Sequence, residues 1–158
     1  MVKWLIDVCG LSPAIKDNDG TSPIHFAIQR GYHEIVEFLV EYDGSLISSL
    51  DESNGYYPLH AAALWDKPKC AQVLLKHGAD VLQPAEVGKW EKGYKGSTPL
   101  HLAIEKESLD CFDELWNSVQ PGLKISPLQI FRKNYEYGSN LHVQALEKMF
   151  IKGKKLNT

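Results

Sequence analysis

The chain has 158 residues, 44% of them apolar and 23% charged, with a formal net charge of −3. That is enough for one domain with a buried core, and the near-balanced charge excludes the concentrated basic face of a nucleic-acid binder. Three widely spaced cysteines (Cys9, Cys70, Cys111) form no CxxC pair, which excludes a disulfide framework or zinc site and suits a reducing compartment.

At the N-terminus, Asp7 interrupts the apolar run of Val2, Trp4, Leu5 and Ile6, so this segment is a poor leader peptide. It reads as a lone helix, half of a two-helix unit spanning 1–16. No apolar stretch reaches the ~18 residues of a membrane span. The next segment, 17–50, opens on Asp17-Asn18-Asp19-Gly20, turn chemistry in which glycine supplies positive φ. Ser22 then stands where a helix cap belongs and Pro23 in the first turn, where a missing N–H costs nothing. Ile24, Phe26, Ala27 and Ile28 supply a short helix ending at Gly31, and apolar residues at 35, 36, 38, 39 and 40 supply a second.

The same phrase then returns. Ser22-Pro23-Ile24-His25, Tyr57-Pro58-Leu59-His60 and Thr98-Pro99-Leu100-His101 lie 35 and 41 residues apart, each two residues after or directly following a turn glycine region (Gly20, Gly55, Gly96). Repetition on this scale predicts a solenoid of stacked units. The second unit is 51–83, the third 96–122, and 84–95 between them is an insertion carrying Trp90 and Tyr94 among lysines and glycines. Ser126-Pro127-Leu128 and Leu141 to Phe150 read as a divergent closing unit, 123–152.

With its Gly turn, Pro-apolar-His phrase, Glu34-Ile35-Val36 and Gly78-Ala79-Asp80, this pattern resembles the ankyrin repeat. The resemblance implies an all-α solenoid of helix-turn-helix units with projecting β-hairpin loops. Asp66 and Glu107 depart from the pattern by replacing the glycine between paired helices, which leaves those turns stiffer or differently closed. Glu114 departs by taking an apolar position, which implies weaker burial or a rotated helix.

Chemistry is poorly represented. There is no phosphate loop, GxSxG or HExxH, so neither a cofactor, a metal nor a catalytic residue is expected. His25, His60 and His101 recur one unit apart, about 10 Å in such a stack and too far for one metal ion with ligands at ~2.1 Å. The resemblance makes them bonds between units. Cys70 and Cys111 are expected to be buried.

Binding is better represented. In ankyrin-like stacks the tails of the first helices face a concave groove and are normally polar; here they read Gln29-Arg30, Leu64-Trp65 and Glu105-Lys106. An aromatic cluster of Tyr56, Tyr57, Leu64 and Trp65 is thus expected at the centre of the groove, with Arg30 and Lys106 in its polar rim. The insertion has three readings: a hairpin finger whose Trp90 and Tyr94 touch a partner, rings packed back on the rod, or a loop without fixed structure. The resemblance implies non-catalytic binding of a protein partner by a monomer in the cytoplasm or nucleus, with no nucleic acid and no membrane insertion. Two further readings stay open: a targeting segment of a larger kinase, acyltransferase, channel or ligase, and a stand-alone inhibitor of an enzyme or transcription factor.

Overall fold

The computed structural model describes residues 10, 12–89 and 95–119. Most of the N-terminal half-unit, including Trp4, lies outside them, as do Trp90, Tyr94 and the closing unit at 123–152. Six α-helices form three antiparallel pairs: α1 (Pro23–Arg30) with α2 (His33–Tyr42), α3 (Pro58–Leu64) with α4 (Pro68–Lys76), and α5 (Pro99–Glu105) with α6 (Leu109–Val119). A 3₁₀ turn, Gly44–Ser48, follows the first pair. No strand is present among the described residues; the hairpins close through single pairings, such as the bridge Asp51–Tyr56.

Proline opens four of the six helices in the same way: α1, α3, α4 and α5 each begin on one, where the fixed φ suits the first turn. At 7 to 11 residues the helices are too short to persist alone. Packing holds them. α1, α3 and α5 lie side by side as an inner row, and α2, α4 and α6 as an outer row. Ile24, Ile28, Leu74, Leu100, Ile104 and Leu115 are sealed between the rows, each worth roughly 1.5–3 kcal/mol of burial.

The turn between paired helices is the same in all three units. Gly31, Asp66 and Glu107 take φ of 77°, 47° and 55°. Beyond them the N–H groups of Tyr32, Lys67 and Ser108 donate to the carbonyls of Ala27, Ala62 and Ala103 at 2.8–2.9 Å. This is the six-to-one closure of a left-handed helix end. The substituted turns are therefore not differently closed, and Asp66 and Glu107 hold the conformation at a cost of roughly 1–2 kcal/mol each. Asp66 recovers part of that cost: its Oδ1 accepts the N–H of Cys111 at 3.0 Å, capping the outer helix of the next unit. In α6 the buried face is Cys111, Phe112, Leu115 and Trp116, and Glu114 sits half-buried beside it.

The insertion leaves and returns through a hairpin base like those of the other units. The first hairpin closes by Asp17 N–H to Thr21 O at 3.0 Å, the second by Asp51 N–H to Tyr56 O at 2.8 Å, and the third by Ala85 N–H to Ser97 O at 2.8 Å. These pairs enclose residues 18–20, 52–55 and 86–96. The described start of the long tip runs back along its predecessor: Glu86 N–H donates to Gly55 O at 2.8 Å and Lys89 N–H to Glu52 O at 2.9 Å. The approach is close enough that a Cβ on Gly55 would lie 2.2 Å from the Glu86 carbonyl oxygen. No helix among the described residues is long and apolar enough to cross a membrane.

Candidate functional site

The repeated histidines tie one unit to the next. His25 Nε2 donates to Tyr56 O at 3.3 Å and His60 Nε2 to Ser97 O at 2.9 Å, each reaching the following hairpin. The other ring nitrogen faces the residue at the helix cap: His25 Nδ1 meets Ser22 Oγ at 2.9 Å, and His101 Nδ1 accepts from Thr98 N–H and Oγ1 at 3.0 and 2.7 Å. The second unit has Tyr57 there, and His60 Nδ1 is buried with no hydrogen-bond partner among the described residues. Burial drives the His60 pKa down to about 4, against the two carbonyls that favour its charged form. Burial likewise lowers His25 below its ordinary value. Both rings are neutral at pH 7 and serve as struts.

Ser22 and His25 form a serine–histidine contact, but it cannot serve as a nucleophile pair. Ser22 is fully buried and its hydroxyl also meets Ser49 Oγ at 2.9 Å, while His25 Nε2 is taken by the Tyr56 carbonyl. The thiols are no better placed: burial pushes Cys70 up to about 11 and Cys111 up to about 12, and both lie buried and free. One cluster escaped the sequence reading because it joins two units. Glu37, Glu41 and His77 bring ligand-type atoms within 4.8 Å of one another on the outer row, but Lys76 Nζ already sits 2.9 Å from Glu37 Oε1.

The concave side carries the distinctive surface. A groove of about 310 Å³ lies between the first two hairpins and the inner helices, lined by Asp17, Asp19, Phe26, Gln29, Tyr56, Leu64 and Trp65 among others. Trp65 is 46% exposed, at the C-cap of α3, and Leu64 is half-buried beside it. Both line the groove from the tail of α3. Tyr56, expected in the exposed cluster, is instead buried, at 4% exposed. As the closing residue of its hairpin, it turns its ring onto His60, stacked at 5.8 Å between centroids and 5° between planes. It is therefore a wall of the groove rather than an exposed anchor. Tyr57 does not line this groove; it lines a separate cavity together with Ile47, Ser48 and Ala79.

Arg30 and Lys106 are exposed at the tails of α1 and α5, yet neither lines the groove. Lys106 lies 3.8 Å from Glu105. The polar lining is instead Asp17, Asp19 and Gln29, with Asp51 beneath. Burial alone would raise the Asp51 carboxyl, but hydrogen bonds from Ser53, Asn54 and Thr21 outweigh it and hold it below the usual range.

The sequence reading missed Phe26. The sequence places it only among the apolar residues of the first helix; it is 49% exposed and lines the groove from α1. Its place is the residue after the repeated histidine, filled by Ala61 and Leu102 in the other units. The variation there was the available signal, since the repeated phrase fixes the flanking places and leaves this one open.

Two family models match the chain. One, describing three copies of ankyrin repeats, covers residues 1–85, and a second, a single ankyrin repeat, covers residues 95–124. The chain belongs to the ankyrin repeat family. Among its relatives are the Target of rapamycin complex 2 subunit AVO2 of Saccharomyces cerevisiae, 27% identical over 90% of this chain and 33% of that protein. The E3 ubiquitin-protein ligase KEG of Arabidopsis thaliana is 33% identical over 61% of this chain and 6% of the ligase. Human B-cell lymphoma 3 protein is 31% identical over 80% of this chain and 26% of its own length. The chain thus spans about a third or less of each relative. Ankyrin repeats are protein-interaction modules and generally non-catalytic, which is the class of function an aromatic groove on a stacked rod can serve.

Proposed function

We propose that this ankyrin stack is a non-catalytic recognition module that docks a partner protein in the groove between its first two units. The observation that carries the reading is the pair of half-exposed rings, Phe26 and Trp65, facing the same groove from successive inner helices. Large apolar side chains in a concave setting are what binding anchors look like, and half-buried Leu64 fills the space next to Trp65. Arg30 and Lys106 are assigned to outer contacts of the same face. Trp90 and Tyr94, which lie outside the described residues, are assigned to the same partner as secondary contacts. The free, buried Cys70 and Cys111 support a reducing, intracellular setting, and the module is proposed to act as a monomer.

A second reading rests on coverage. Because relatives such as AVO2 and KEG are at least three times longer than the matched region, the same groove would serve as the targeting segment of a larger protein. Affinity capture with the wild type and a Phe26→Ala/Trp65→Ala variant of equal helicity tests the main proposal. A partner lost only by the variant supports groove recognition. A partner kept by both refutes it.

A further inference from the structure

The groove has a charge character that specifies its occupant more narrowly than a protein partner in general. Three carboxylates line it (Asp17, Asp19 and Asp51), and among the described residues no lysine or arginine does. Asp19 is exposed and its carboxylate has no partner among the described residues. Asp17, also exposed, uses Oδ1 to accept the N–H groups of Asp19 and Thr21 at 3.0 and 2.8 Å. Lys16, next in sequence to Asp17, and Lys89 are engaged elsewhere: both reach Glu52, at 2.8 and 3.1 Å. The hairpins thus satisfy Glu52 with two lysines while Asp17 and Asp19 receive none.

Resting on the groove reading above, we infer that the side chain seated between Phe26 and Trp65 is basic, an arginine or lysine flanked by apolar residues in an extended segment of the partner. Aromatic faces attract a cation over the ring, and a guanidinium can stack on a ring while donating to a carboxylate at its edge. The groove offers both at once. Its walls Phe26 and Trp65 give the face, and its rim Asp17 and Asp19 gives the acceptors. The same arrangement repels an acidic segment, because a carboxylate entering would meet like charges with no cation in the lining.

Selection of a phage-displayed random peptide library on the full 158-residue chain, followed by anisotropy titration of the selected peptides, tests this inference. The expected peptides carry an arginine or lysine next to apolar residues, and bind more weakly at high salt. Asp17→Asn/Asp19→Asn is expected to cut their affinity about tenfold, as fits two partly exposed charge contacts. The amide at position 17 keeps the turn's Oδ1 acceptor, so the hairpin survives. Replacing the peptide's basic residue by methionine should cost a similar factor. Basic peptides indifferent to the Asn variant would overturn the inference, as would selected peptides without a basic residue that still require Phe26 and Trp65. In the second case the groove stands as a docking surface. Peptides that bind the Phe26→Ala/Trp65→Ala variant unchanged, or no enrichment at all, would overturn the groove reading with it.

Discussion

Replacing Tyr57 by threonine should stabilise the protein, although it removes an aromatic ring. Ser22 and Thr98 each place a hydroxyl 2.7–2.9 Å from Nδ1 of the histidine three residues on. Tyr57 does not, and His60 Nδ1 is left buried with no hydrogen-bond partner among the described residues. An unsatisfied buried acceptor costs about 1–3 kcal/mol, and a threonine cap on α3 adds about 1 kcal/mol. Against this stands the ring contact between Tyr57 and His60, tilted at 38° with centroids 5.9 Å apart, worth about 1 kcal/mol. The net expectation is a gain of about 1–3 kcal/mol, read from urea unfolding with unchanged m. Tyr57→Val is the decisive control, because it matches threonine in shape and lacks only the hydroxyl. Threonine should exceed valine by about 2 kcal/mol. Equal midpoints for the two variants would refute the claim that His60 lacks a hydroxyl partner.

Acid should weaken the stack well before carboxylates protonate. The His60 pKa is about 4 when folded against 6.5 for the free ring; a depressed folded pKa gives stability that is complete above the unfolded value and lost as pH falls toward the folded one. The loss should reach about 2 kcal/mol by pH 5 and about 3 kcal/mol near pH 4, His25 adding in the same direction; urea midpoints unchanged between pH 7 and 5 would contradict this. Asp66→Ala should cost about 2 kcal/mol, through the lost cap on Cys111 and the strain of a Cβ-bearing residue without a compensating bond, whereas Asp66→Asn should be nearly silent in thermal melts. Gly55→Ala should be among the most damaging hairpin changes, at least about 2 kcal/mol, since φ is +75° and the new Cβ meets backbone rather than a yielding side chain; a melting point within a degree of wild type would show that the long hairpin does not rest there.

The repeat architecture was legible because it is written in local chemistry. Glycines at the turns, prolines at helix starts and the recurring histidine each report a backbone requirement that holds wherever the segment sits. What escaped depends on neighbours in space. Tyr56 and Tyr57 are adjacent and chemically alike, and only the closure of the hairpin on Asp51 decides that one stacks on His60 in the groove wall and the other lines a separate cavity. Phe26 looks apolar enough for the core, and its exposure follows from where the second hairpin lies relative to α1. The Asp66 cap joins residues 45 apart, a pairing no local pattern announces.

The two seams of the stack are fastened unequally. Between the second and third units the long hairpin lays Glu86 and Lys89 on Gly55 and Glu52, and Asp66 grips α6. Between the first and second, the loop backbones share one longer bond, Glu52 N–H to Gly20 O at 3.3 Å. Side chains join that seam instead, Thr21 to Asp51, Ser22 to Ser49 and Lys16 to Glu52, and the groove straddles it. An occupant touching both Phe26 and Trp65 would act as a rivet across it, so occupancy and the rigidity of the rod are linked quantities: a ligand at a hundred times its Kd adds about 2.7 kcal/mol to the folded state, and this gain would be felt first as slowed amide exchange along the first hairpin.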